Sequence, residues 1–88
     1  MSRVILITSL GCTPCLRVKR ILKELQAEMT DLAVEEMDFT SPAGSKLAMQ
    51  HGILYPPAVL LDGNLIAKGK IDAERMIATI REMNGDHN

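Results

Sequence analysis

Aromatic side chains are almost missing from this 88-residue chain: Phe39 and Tyr55 are the only two, and tryptophan is absent. A core must therefore be assembled from Leu, Ile, Val, Ala and Met, and with 47% of residues hydrophobic there is enough material for one. An excess of charge of either sign is missing as well. The net charge of −1 argues against a nucleic-acid surface and against an acidic tail. Long apolar runs are lacking too, for Val4 to Ile7 falls far short of the roughly 20 residues that a spanning helix needs. No membrane attachment is expected. The opening "MSRVILIT" is too short for a secretion signal, and no small-residue cleavage site follows Thr8. A cytoplasmic location is the expectation, and thiols are kept reduced there, which disfavours a permanent bridge. The length suits one domain, 1–88, with a core over about 3–84 and a tail at 85–88.

Cysteine is scarce, but its placing is not casual. Cys12 and Cys15 stand in "SLGCTPCLRVKR", between two segments of different period. Before them, "RVILIT" is a β-branched apolar run that reads as a strand buried on both faces. After them, Cys15, Val18, Leu22, Leu25 and Met29 recur at three or four residues, which predicts an amphipathic helix from about Thr13 to Glu28. "DLAVEEMDF" alternates loosely and predicts a second strand. Ser41 before Pro42 starts a short helix that Gly52 stops. Ala58 to Leu61 and Leu65 to Lys68 predict a hairpin around Asp62-Gly63 or Gly63-Asn64, closed by Gly69. Asp72 is the expected N-cap of a last helix, with Met76, Ile77, Ile80 and Met83 on one face. The order is β-α-β-α-β-β-α.

This setting gives the two thiols unequal chemistry. Cys12 falls at the mouth of the first helix, where unpaired amide hydrogens and the positive dipole end favour an anion. Its thiol should ionise more readily than a free cysteine, and the thiolate is the attacking species in disulfide exchange. Cys15, one turn inside and on the apolar stripe, would be sheltered yet near enough to resolve a mixed disulfide. Pro14 costs little in a first turn and restricts the loop.

Other uses of the pair stay open. A single C-x-x-C can be half of a zinc site, but four ligands are normally required. The other candidates are His51, read first as a helix-end residue, His87 in the tail, and carboxylates. No metal is expected. Two inert core cysteines, or a redox sensor that only reports oxidation, are further alternatives. The six methionines read as fillers of an aromatic-poor core. The basic run Arg17, Lys19, Arg20 and Lys23 reads as a solvated face that at best steers acidic partners.

The strand "VILITS", the turn "LGCTPC" and the stretch "YPPAVLLDGNLIAKG" together resemble the thioredoxin-like superfamily in its small, glutaredoxin-sized form. The resemblance covers residues 3–84. It implies a three-layer α/β fold with a four-stranded mixed sheet. It also implies a small thiol-disulfide oxidoreductase that exchanges through Cys12-Thr13-Pro14-Cys15, with Gly11 completing the active-site loop. No cofactor is implied beyond the Cys12–Cys15 couple. The implied partners are disulfide-containing proteins or small molecules and a separate reductase; a monomer is expected. A cis-proline opens the third strand in this family, and its spacing from Gly63 gives that part to Pro57. Pro56, just before it, takes the position that pairs with substrate backbone.

The departures from the family pattern are informative. Gly11 stands where thioredoxins have tryptophan, and Leu6 where they carry a buried aspartate. Ser9 replaces the lysine common in glutaredoxins, and "IAKGKID" lacks their paired glycines. Dithiol exchange is thus favoured over glutathione chemistry. Pro14 matches the reducing thioredoxin dipeptide, which tilts the expected direction toward a reductant. Copper carriers of the ferredoxin-like kind also place C-x-x-C before a first helix, but they end on a strand, whereas residues 72–83 read as helix.

Overall fold

A computed structural model describes residues 2–84. Its elements are β1 (Ser2–Thr8), α1 (Thr13–Glu28), β2 (Leu32–Asp38), α2 (Pro42–His51), β3 (Ala58–Leu61), β4 (Asn64–Lys68) and α3 (Ala73–Met83). The sheet order is β2-β1-β3-β4. β1 runs parallel to β2 and antiparallel to β3, and β3 and β4 form an antiparallel hairpin.

Alternation along the strands sorts the core into two layers, one on each face of the sheet. Val4, Leu6, Val59 and Leu61 pack with Val18, Leu22 and Leu25 of α1 and with Met76 and Ile80 of α3. Ile7, Ala58 and Leu60 face the other way and pack with Ala48 of α2 and with Ile53. Burial of β1 on both faces holds for Val4, Leu6 and Ile7, with Ile5 and Thr8 half-buried. Arg3 departs from it: it is exposed and ion-paired with Glu35 of β2.

Local signals explain where the elements stop and start. Ser41 Oγ accepts the Gly44 N–H at 3.0 Å and caps α2, and Gly52 ends it with φ +66°. Asp72 caps α3 by accepting the Arg75 N–H at 3.2 Å. The hairpin turn is Asp62-Gly63, with φ +49° and +87°. Positive φ at both central residues marks the turn type whose twist suits a two-residue hairpin.

One side chain departs from the expectation, and the hairpin carries an irregularity. Met83 does not share the buried face of Met76 and Ile80; it is 46% exposed, one turn beyond Ile80, the last side chain of α3 in the core. The β3–β4 register also shifts, because Val59 pairs with Ala67 while Leu60 pairs with Leu65. The extra residue, Ile66, is a bulge. It lets Ile66 and Ala67 both pack on the α1/α3 side.

Candidate active site

The loop from β1 to α1 carries both sulfurs. Gly11 has φ +76°, a conformation that glycine adopts without a Cβ penalty, and the Cys12 N–H closes the turn on Ser9 O at 3.3 Å. Cys12 is the N-cap of α1, and its Sγ accepts the Cys15 N–H at 3.2 Å. It thus occupies the place a serine or aspartate oxygen commonly fills. Thr13 and Pro14 are exposed in the first turn, where a missing N–H costs nothing. Cys15 lies one turn in and is 3% exposed, whereas Cys12 is only half-buried. The two sulfurs are bonded at 2.02 Å, with Cα atoms 5.3 Å apart.

Cys12 and Cys15 line one cavity with Gly11, Lys19, Glu36 and Asp38. The carboxylates arrive there by register: Leu6 pairs with Glu36 and Thr8 with Asp38, so the end of β2 lies beside the loop that follows β1. Lys19 Nζ is 3.3 Å from Glu36 Oε1. The Asp38 carboxyl is held below its usual range, first by the Thr40 hydroxyl and then by the Thr40 N–H. These three charged groups were not among the expected site residues. The rule that sites gather at the carboxyl ends of parallel strands is the signal that finds them. Leu6 is buried in the α1/α3 core, so an aliphatic side chain fills the place of the family's buried aspartate.

The prolines form a second cleft on the other side of the loop. Pro14, Val18, Tyr55, Pro56 and Pro57 line it, together with residues 69–71 and Arg17. The Pro56-Pro57 peptide is cis, and Pro57 O accepts the Gly69 N–H at 2.8 Å. Tyr55 lies against Gly69, where an added Cβ would come within 3.1 Å of its Oη. Apolar side chains stand clear around the loop: Leu10 is 98%, Leu16 64% and Tyr55 62% exposed.

Among the described residues no group of three or more His, Cys, Asp or Glu could hold a metal ion. His51 is the last residue of α2, and His87 lies outside the described residues. Among the described residues no helix is long and apolar enough to cross a membrane.

The thioredoxin domain family model matches residues 3–82. The chain belongs to the thioredoxin family. It is similar to a thioredoxin from Methanocaldococcus jannaschii, at 29% identity over 80 residues, covering 91% of this chain and 93% of that protein. Among solved structures it is similar to oxidised thioredoxin O2 from Arabidopsis thaliana, with a TM-score of 0.75 at 18% identity. That match covers 94% of this chain and 75% of the other. A thioredoxin variant from Halobacterium salinarum matches with a TM-score of 0.70 at 25% identity, over 92% of this chain and 73% of that one. With the family and the Cys12–Cys15 bond together, the chain is a thiol-disulfide oxidoreductase of the thioredoxin family.

Proposed function

We propose that the chain is a dithiol reductant in which Cys12 attacks and Cys15 resolves. One observation carries the assignment. Cys12 is a half-exposed N-cap whose sulfur accepts an N–H, while Cys15 is 3% exposed. In the reduced protein the Cys12 thiolate attacks one sulfur of a substrate disulfide and expels the other as a thiolate. Cys15 then gives up its proton and attacks Cys12 Sγ, which releases the second substrate thiol and forms the Cys12–Cys15 bond. Two electrons pass to the substrate, and a separate reductase returns them. Pro14 between the cysteines supports the reducing direction, and the lack of paired glycines after the hairpin supports dithiol exchange over glutathione chemistry. The proposed working form is a monomer in a reducing compartment such as the cytoplasm, where a dithiol stays reduced.

Alkylation order tests the assignment. The reduced protein treated with a small iodoacetamide pulse near neutral pH should carry label on Cys12 first. Preferential label on Cys15 would reverse the roles.

Pro56 and Pro57 are proposed to meet the substrate. A substrate segment lying extended beside Pro56 would pair with its backbone as in strand addition. Pro56 lacks an N–H, so one of the two possible bonds cannot form. A hydrogen bond of this kind contributes about 0.5–1.5 kcal/mol, or roughly a factor of two to ten in affinity. Pro56→Thr should therefore strengthen capture of peptide disulfides by about that factor while leaving small disulfides unaffected. Equal effects on both classes, measured by competition kinetics, would remove the backbone-pairing role.

A further inference from the structure

We propose that the cleft beside Pro14 and Pro57 selects protein substrates that carry carboxylates next to the exchanging disulfide. The proposal rests on the exchange reading above and adds to it a substrate class. The cleft has an apolar floor of Val18 and Ile71, and its charged lining residues are Arg17 and Lys70. No carboxylate lines it.

Both cations are available to a partner. Among the described residues three ion pairs engage Arg3, Lys19 and Arg81, and none engages Arg17 or Lys70. Arg17 Nη1 donates to the Ile71 carbonyl at 3.4 Å. That bond ties the guanidinium to the cleft wall and leaves it other N–H donors, in a fork that matches a carboxylate. The acid next in sequence, Asp72, is committed to capping α3 through the Arg75 N–H. Asp72 lines a neighbouring groove that Lys70 also borders, together with Lys68 and Arg75.

The charge is directional across the loop. Glu36 and Asp38 line the cavity on the cysteine side, whereas Arg17 and Lys70 line the proline side. With a net charge of only −1 for the whole chain, this separation is local. An extended segment whose cystine reaches Cys12 across Pro14 would be drawn in if its acidic residues lie toward Pro57, and repelled in the reverse sense. The apolar floor and Tyr55 would cover its uncharged side chains. Attraction of this kind acts mainly on the association rate and weakens with salt. The basic run of α1 is thereby divided: Lys19 belongs to the Glu36 pair and Arg17 to the cleft.

Three disulfide-linked peptides that differ only in Asp, Asn or Lys beside the reactive cysteine test this. Their reduction by the reduced protein is followed at low salt and at about 0.5 M salt. Exposed ion pairs of this type shift rates by about two- to fivefold each, so the Asp peptide should outrun the Lys peptide by roughly three- to tenfold at low salt. High salt should bring the ratio close to one. Arg17→Gln with Lys70→Gln should bring it close to one at low salt, while Arg20→Gln with Lys23→Gln, an equal loss of charge, should leave it intact. Because each ratio is taken within one protein, partial misfolding of a variant does not mimic the effect. Equal rates for the Asp and Lys peptides, or a preference that survives Arg17→Gln with Lys70→Gln, overturns the proposal. The neutral hydroxyethyl disulfide separates the two levels: if the wild-type protein cannot reduce it, the exchange chemistry itself has failed. If it is reduced while the peptides are not discriminated, only the substrate class is wrong.

Discussion

Cys12→Ser should bring disulfide reduction down to the uncatalysed background, whereas Cys15→Ser should stop turnover but keep the first attack. The asymmetry follows from position. The Cys12 sulfur sits at the helix mouth, 3.2 Å from an N–H donor, a place where the proposed thiolate would be stabilised within reach of a substrate. Cys15 is packed in the core, which is why its proposed part is to attack a sulfur already delivered to Cys12. Incubated with a peptide disulfide, the Cys15→Ser protein should accumulate a mixed disulfide that mass spectrometry places on Cys12. The Cys12→Ser protein should accumulate little. An adduct on Cys15 of the Cys12→Ser protein, at a comparable rate, would refute the division of labour.

Gly44→Ala should cost stability, and the sign is the informative part. Replacing glycine by alanine inside an exposed helix ordinarily stabilises by about 1 kcal/mol. Here a Cβ at Gly44 would lie 2.0 Å from Asp38 O and 3.0 Å from Ser41 Oγ. Asp38 O cannot yield easily, because it accepts both the Ser41 N–H at 3.0 Å and the Ser41 Oγ–H at 2.7 Å. The start of α2 must then lift from the end of β2. Forced overpacking of this kind costs about 1–3 kcal/mol and sometimes more, which outweighs the helix-propensity gain. A urea-unfolding midpoint below that of the wild type is the expected result, and an unchanged or higher midpoint would show that α2 can shift freely. Asp38 also lines the cysteine cavity, so the same substitution should slow exchange in the protein that remains folded.

The elements were legible because their signals are local. The stripe Cys15, Val18, Leu22 and Leu25 is the set of buried residues in α1, and the Ser41-Pro42 and Gly52 signals are the two ends of α2. The cysteine pair was legible for the same reason, since a change of hydrophobic period marks where a strand hands over to a helix. What stayed hidden depends on tertiary register. Nothing near Glu36 or Asp38 in sequence announces that parallel pairing with β1 carries them to the cysteines. Nor does the run Arg17, Lys19, Arg20, Lys23 reveal that two of its members face different clefts. The Ile66 bulge and the exposure of Met83 belong to the same class, decided by where the core ends.

Redox titration of the Cys12–Cys15 pair against a dithiothreitol couple asks whether the pair itself exchanges electrons. The fraction of reduced protein, read by alkylation and mass shift, should follow one reversible two-electron transition with no added metal. The midpoint should lie below the roughly −200 to −230 mV of glutaredoxins and near the −270 mV or so of thioredoxins. A pair that does not come to equilibrium with the couple, or one that is reduced only as a metal-bound dithiol, would contradict the account.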